Sequence, residues 1–121
     1  MIENDGGSTV NIASIAGLSA ALGQGIYSVT RAGLVMLTRV MARELGNDGV
    51  RVNCICPGVI KTRLSEALWA EPEVEKAVAA QKALGRVGTT DELVGAAIYL
   101  ASPASSFTTG AMLQVDGGMV I

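Results

Sequence analysis

The chain has 121 residues, of which 50% are hydrophobic and 17% are charged, and its formal net charge is −2. This length suits one domain with its own hydrophobic core, which we place at residues 1–121. The high hydrophobic fraction and low net charge exclude an intrinsically disordered chain. A basic excess is absent and aromatic residues make up only 3% of the chain. Nucleic acid is therefore not an expected partner.

Two uncharged stretches, residues 6–30 and 93–115, are long enough to cross a bilayer. Gly, Ser, Thr and Pro interrupt them, so neither is expected to span a membrane. The first residues lack the basic segment and apolar core of a signal peptide. Cys54 and Cys56 lie two residues apart, where a disulfide has poor geometry, and the chain has no His to complete a metal site. We expect buried free thiols, no metal and a cytoplasmic location.

In chain order, residues 8–13 are rich in β-forming residues and predict a first strand. Residues 14–25 are small and Gly-rich, which is typical of a loop where the backbone approaches a ligand. Residues 26–45 place apolar side chains mostly three and four apart, which predicts a long amphipathic helix. Residues 50–56 predict a second strand that stops at a Pro-Gly pair.

The second half of the chain continues this alternation. Residues 61–84 are predicted to be helical in two pieces, interrupted near residues 71–72 because proline cannot occupy a helix interior. Thr90 is predicted to cap a helix that runs to about residue 100. Residues 112–115 predict a last strand.

Strands that alternate with helices indicate βαβ units, and hence an α/β fold with a parallel sheet. About three strands with flanking helices would make a thin sheet. Parallel strands, in contrast, normally need cover on both faces and neighbours at both edges. The mean hydropathy of +0.43 is also high for so short a chain. We therefore expect part of a larger doubly wound domain or an obligate oligomer.

Three residues could form a proton-transfer site. Tyr27 and Arg31 are four apart, so they share one helix face. An isolated tyrosine hydroxyl is a poor base because its pKa is about 10, but a fixed cation and the positive end of a helix would favour the phenolate. Ser14 follows the first strand, where a parallel sheet presents its ligand crevice. The same spacing also fits a core tyrosine beside a solvated arginine.

Several motifs together strengthen the catalytic alternative. The segments VNIAS (10–14), YSVTR (27–31), NCICPGVIKT (53–62), TG (109–110) and VDGG (115–118) occur in this order. They strongly resemble the short-chain dehydrogenase/reductase family, in register from about residue 7 to residue 118. The stretches IKTRLS (60–65) and ALW (67–69) resemble the carbonyl- and retinal-reductase branch.

The resemblance implies a role for each matching residue. Ser14 lies where the family has its substrate-orienting serine, and Tyr27 where it has its proton-transferring tyrosine. Tyr27 and Arg31 would also contact the NAD or NADP cofactor, whose nicotinamide end would be held by Pro57, Gly58, Ile60 and Thr62. The substrate lid would consist of Leu64, Leu68 and Trp69. Alternatively, the Pro-Gly pair only ends a strand, Thr62 caps a helix, and the lid residues are core or subunit contacts.

The chain departs from the family pattern in two ways. Arg31 stands where the family has a lysine that also holds the cofactor ribose, and an arginine cannot shuttle a proton. No G-x-G-x-x-G loop occurs, so the resemblance covers the C-terminal half, and the dinucleotide-binding half would precede Met1. Most contacts to a dinucleotide come from that half. We therefore expect the isolated, truncated chain to bind cofactor at about millimolar Kd, equivalent to about −4 kcal/mol, and to be impaired or inactive.

Two functions follow as hypotheses. The first is an oxidoreductase that transfers a hydride between NAD(P)(H) and a small-molecule carbonyl or secondary alcohol. The second is a non-catalytic, oligomerising remnant of the family or an interaction protein. A homo-oligomer is expected under either hypothesis, because the family uses its long helix and last strand in subunit contacts and because the first strand has a free edge.

Overall fold

A computed structural model describes all residues from 1 to 121. Three parallel strands form one sheet in the order β1-β2-β3; their bounds are Gly7–Ile12 for β1, Val50–Pro57 for β2 and Met112–Val115 for β3. In the register, Gly7 lies opposite Val50 and Cys54 lies opposite Met112. The prediction of an α/β fold with three parallel strands is confirmed.

The chain has three α-helices, with bounds Gly25–Leu45 for α1, Pro72–Ala79 for α2 and Val94–Ala101 for α3, and α1 and α3 pack against the sheet. Short 3-10 turns occupy several of the connections. None of the helices combines the length and the apolarity that crossing a membrane requires.

The central strand β2 is buried because helices cover both of its faces. On one face, Val35 of α1 packs with Cys54 and Cys56, and Ala42 packs with Val50 and Val52. Full burial of a valine-sized side chain contributes about 1.5–3 kcal/mol, so these contacts hold α1 on the sheet. On the other face, the Arg51 side chain reaches carbonyl groups at the end of α3.

The two cysteines lie side by side in the core beneath α1. Cys54 and Cys56 are free and fully buried, and their Sγ atoms are 4.0 Å apart. The hydrogen bond with Cys54 and burial both raise the pKa of the Cys56 thiol. The prediction of buried free thiols is therefore confirmed.

The prediction of two helical pieces over residues 61–84 is wrong in its first part. That region holds only a 3-10 turn at Glu66–Leu68, followed by α2. Thr62 and Ser65 bond to each other and to nearby backbone, and such local bonds compete with helix formation. Pro72 begins α2 instead of interrupting a helix. Proline is tolerated there because it lacks a backbone N–H, and the N–H of the first helical residue has no partner within the helix.

The predicted cap at Thr90 is also wrong, by one residue. Thr89 is the N-cap, and its backbone N–H donates to the Glu92 carboxylate at 2.9 Å, which completes a capping box. Thr90–Leu93 then form a 3-10 turn, and α3 begins only at Val94. The cap lies at Thr89 because Glu92 is three residues after it, as this motif requires.

Candidate active site

Two of the predicted site residues lie at the carboxyl ends of strands. Ser14 lies two residues after β1 and Pro57 is the last residue of β2, while Asp116, outside the predicted site, directly follows β3. Because the strands are parallel, these ends lie along one edge of the sheet, where open α/β sheets bind their ligands.

Tyr27 and Arg31 lie in the first two turns of α1 and contact each other. The guanidinium carbon of Arg31 is 4.8 Å from the centroid of the Tyr27 ring, a cation–π contact. Arg31 Nη1 also donates a long hydrogen bond of 3.4 Å to the carbonyl oxygen of Ile12. One side chain therefore connects the tyrosine to the end of β1.

Ser14 adopts an extended conformation and caps the 3-10 turn Ile15–Gly17. Its Oγ accepts a hydrogen bond from the backbone N–H of Ala16 at 3.1 Å. This bond uses a lone pair, so the hydroxyl hydrogen stays available for an acceptor on a ligand.

The turn after Ser14 packs against α1 at Arg31. A Cβ on Gly17 would lie 2.7 Å from the carbonyl carbon of Arg31, which only glycine avoids. This close approach places the loop that carries Ser14 against the helix that carries Tyr27.

Two buried polar atoms beside this contact have no hydrogen-bond partner, namely the Nε of Arg31 and the Oγ of Ser28. Leaving such an atom unpaired costs about 1–3 kcal/mol. Buried polar groups are almost always paired, so unpaired ones call for an explanation, such as a functional role. Here they lie within one turn of Tyr27.

The Pro57-Gly58 turn is packed tightly against the end of β3. Gly58 donates its backbone N–H to the carbonyl of Val115 at 3.0 Å, and a Cβ there would lie 2.8 Å from the Cα of Asp116. The Asp116 carboxylate accepts the backbone N–H groups of Gly118 and Val120 at 3.0 and 2.9 Å. Its carboxylate therefore anchors the C-terminal loop.

The segment from Ile60 to Trp69 is held by side chains. Ile60 is buried and bridges Gly88, and Trp69 donates its indole N–H to the carbonyl of Thr62 at 3.1 Å. Lys61 stacks over the Trp69 ring at 5.8 Å. Within the proposed lid, Leu64 is exposed and Leu68 and Trp69 are half-buried.

Lys61 also forms an ion pair with Glu75 of α2 at 2.5 Å. This pair links the loop that carries Thr62 to the helix that follows it.

Reasoning from the sequence left Ser65 out of the site. Its hydroxyl contacts Ile60, Thr62 and Trp69. The Thr-x-x-Ser spacing of residues 62–65 is the signal that could have identified it, since side chains three apart can cap each other's backbone.

A concavity of about 660 Å³ lies at the opposite edge of the sheet. Its lining includes Ser8, Arg51 and Phe107 and none of the predicted site residues. This concavity is therefore separate from the candidate active site at the carboxyl edge.

Comparison with known proteins shows the family of the chain. Residues 1–120 match the family model described as enoyl-(acyl carrier protein) reductase. The 3-oxoacyl-[acyl-carrier-protein] reductase FabG of Chlamydia muridarum is 43% identical over 121 residues, which cover 98% of this chain and 47% of the relative.

Solved structures agree in fold. A short-chain type dehydrogenase/reductase from Mycobacterium ulcerans has a TM-score of 0.93 at 39% identity, covering 98% of this chain and 43% of that one. A gluconate 5-dehydrogenase from Burkholderia cenocepacia, solved with NADP and tartrate, has a TM-score of 0.94 at 36% identity. The match covers 98% of this chain and 46% of that one.

A parallel sheet flanked by helices, with its loops at the carboxyl ends of the strands, is the architecture of the doubly wound α/β class. The chain belongs to the short-chain dehydrogenase/reductase family. It spans about half the length of the relatives it matches.

Proposed function

We propose that this chain carries the catalytic half of an oxidoreductase, which transfers a hydride between NAD(P)(H) and a carbonyl or secondary alcohol. The observation that supports this most is the stacked pair of Tyr27 and Arg31, connected to the end of β1 beside the loop of Ser14. A tyrosine held under a fixed cation at the ligand edge of a parallel sheet is suited to proton transfer.

In the reducing direction, Ser14 donates its free hydroxyl hydrogen to the substrate carbonyl oxygen and orients it. Tyr27 then gives its phenolic proton to that oxygen as the carbonyl carbon gains a hydride, so the product is an alcohol. The positive charge of Arg31 stabilises the phenolate that remains. Tyr27 is 37% exposed, so water can return its proton without a lysine relay.

The residues at the edge fit the nicotinamide end of a cofactor, which supplies or accepts the hydride when bound. The orphaned Nε of Arg31 offers a donor near Tyr27, and the Thr62 hydroxyl and the backbone of Pro57–Ile60 line the neighbouring turn. The NADP bound to the related gluconate 5-dehydrogenase supports a nicotinamide dinucleotide, and titration with NADPH and NADH distinguishes the two cofactors.

We expect this chain alone to bind the nicotinamide cofactor with low affinity. The chain contains no G-x-G-x-x-G loop, the glycine pattern with which a turn between a strand and a helix binds a pyrophosphate. With the nicotinamide end alone, a Kd of about 1 mM is expected, equivalent to about −4 kcal/mol.

A fluorescence titration of the purified chain with NADPH and NADH tests the proposal. It should be repeated with the chain co-expressed with the half of the Chlamydia muridarum relative that this chain does not cover. We expect weak binding alone, tighter binding in the complex, and turnover that Tyr27→Phe abolishes. If the folded complex binds neither nucleotide at millimolar concentration, the proposal is wrong.

A second function is favoured by the outer face of α1. Opposite its buried side, the helix exposes several apolar side chains: Ile26, Val29, Met36, Leu37 and Val40. A continuous apolar stripe of this kind marks a protein interaction surface. The alternative is therefore a non-catalytic protein of this family that associates with copies of itself through α1. The two functions differ in cofactor binding, which the titration measures directly.

A further inference from the structure

Both cysteines and two of the five methionines of the chain meet in one part of the core. Cys54 and Cys56 are two residues apart in β2, so their side chains lie on the same face of the strand, with their Sγ atoms 4.0 Å apart. Met112 lies opposite Cys54 in the pairing of β2 with β3. Met112 and Met119 both pack against the hydrophobic cluster that contains the two cysteines. We call these four side chains the four-sulfur cluster.

The distance between the two thiols does not suit a disulfide. The sulfur atoms of a disulfide are about 2.05 Å apart, and residues two apart in a strand place their Cα atoms about 6.6 Å apart, near the upper limit for a bridged pair. A tetrahedral metal ion with metal–sulfur bonds of about 2.3 Å instead holds two sulfur atoms about 3.8 Å apart. The separation of 4.0 Å between the Sγ atoms of Cys54 and Cys56 is therefore close to that of two ligands of one ion.

The donor types of the cluster select the metal. Zinc sites in proteins use thiolate, imidazole and carboxylate ligands, and the structure has no group of three or more residues of these types. The sequence-based expectation of no metal rested on such ligands and left thioether sulfur out. Thiolate and thioether donors are soft, and Cu(I) is a metal that such ligands select. Two thiols with two thioethers are therefore a donor set for Cu(I).

The charge of the site also fits a monovalent ion. The cluster packs among apolar side chains, namely Ala13, Ile15 and Val35, where a net charge would be costly. When Cu(I) binds, it displaces the proton of one thiol, which leaves to water as H⁺, and a copper–sulfur bond forms without a change of oxidation state. Cu⁺ and one thiolate together carry no net charge. The other thiol and the two thioethers complete the site as neutral donors.

We propose that the four-sulfur cluster is a binding site for one Cu(I) ion, in the core between α1, β2 and β3. Its ligands are Cys54, Cys56, Met112 and Met119. None of them belongs to the candidate active site, so this inference does not rest on the proposed function. Because both thiols are fully buried, the ion enters through a local opening of the core, and loading is slow.

The test is an anaerobic titration of the purified chain with Cu(I) in competition with bicinchoninate, a chelator that is coloured when it holds this ion. Each point is read after the absorbance has become constant, since loading is slow. We expect one Cu(I) ion per chain, accompanied by ultraviolet charge-transfer absorption from the copper–thiolate bond.

Variants show whether the four sulfur atoms are the ligands. Met112→Leu and Met119→Leu each remove one sulfur atom while nearly conserving side-chain volume, so folding should be little affected. Each should lower the Cu(I) affinity about tenfold, whereas Cys56→Ala, which removes a thiol ligand, should lower it more than about a hundredfold. The matched control is Met36→Leu, the same change at an exposed methionine of α1, which should leave the affinity unchanged. Circular dichroism of every variant checks that it is folded.

Failure of the wild-type chain to take Cu(I) from bicinchoninate overturns the proposal. So does an affinity that neither Met112→Leu nor Met119→Leu lowers, or an equal loss in Met36→Leu, because in both cases the thioethers of the cluster are not the ligands. Losses in the two folded cluster variants, with no loss in Met36→Leu, support it. A separate NADPH titration of the same samples tests the proposed function, so the failure of one proposal is distinguished from the failure of the other.

Discussion

Arg31 lies across the ring of Tyr27, with its guanidinium carbon 4.8 Å from the ring centroid, and it also reaches the carbonyl of Ile12. The family pattern has a lysine here, whose compact ammonium bonds in any direction. The planar guanidinium of arginine instead favours stacking. The contact therefore keeps a positive charge beside the tyrosine while it changes which donors are free for a ligand.

Arg31→Lys should increase activity. A lysine restores a single mobile donor and a group that can exchange protons, so kcat should rise by about tenfold, or about 1.4 kcal/mol in barrier height. The measurement is NADPH-dependent carbonyl reduction by the chain co-expressed with the complementary half of the FabG relative. A slower Arg31→Lys enzyme would show that the arginine is an adaptation and not a defect.

Met36→Glu should weaken self-association. Met36 is 54% exposed near the middle of the apolar stripe on α1, between Val29 at 68% and Val40 at 41%. A carboxylate buried in such an interface is costly, so the mass measured by light scattering should fall towards that of the monomer. Lys76→Gln, an exposed change on α2 that alters net charge equally, is the control. A wild-type chain that is already a monodisperse monomer would contradict the oligomer proposal.

Arg51→Met should destabilise the fold. The Arg51 guanidinium donates to the carbonyls of Leu100 and Ser102 at 3.1 and 3.2 Å and to the hydroxyl of Ser105 at 2.6 Å. It thereby pairs carbonyl groups at the C-terminal end of α3. The partial negative charge at that end of the helix favours a cation there. The free energy of unfolding, measured with urea, should fall by about 3 kcal/mol. Arg43→Met, an exposed arginine of α1, should change it little.

Glu92→Gln should reduce the dependence of the free energy of unfolding on pH in the acidic range. Hydrogen bonds from Arg86 and from the backbone of Thr89 lower the pKa of the Glu92 carboxyl from 4.5 to about 2. Because the Glu92 carboxyl has a lower pKa in the folded state than in the unfolded state, its ionised form stabilises the fold. This contribution is complete above pH 4.5 and is lost as the pH falls towards 2.

Unfolding curves between about pH 6 and pH 2 measure this effect. The wild type should lose more stability than Glu92→Gln across that range, and the difference should be small because the ion pair is at the surface. Glu44→Gln, which removes an exposed carboxylate that forms no ion pair, is the control. Parallel curves for wild type and Glu92→Gln would rule out this contribution.

Hydrophobic periodicity and turn residues were sufficient to predict the strands and the long helix. Residues 26–45 place apolar side chains three and four apart, and the structure has a helix at Gly25–Leu45. Prediction failed over the first part of residues 61–84, where a helix was expected and the structure has only a 3-10 turn at Glu66–Leu68. There, hydrogen bonds between Thr62 and Ser65 compete with helix formation, and a sequence pattern does not reveal that competition.

The sequence by itself determined the parallel α/β class and the order of the motifs, because strand and helix periodicities are local properties of the chain. Only the tertiary structure decided how Arg31 lies on Tyr27, why Gly17 and Gly58 must be glycine, and that Ser65 holds Thr62. These contacts depend on rotamers and on close approaches between separate segments. A spacing of residues places side chains on one face, but packing decides which atoms meet and which donors remain free.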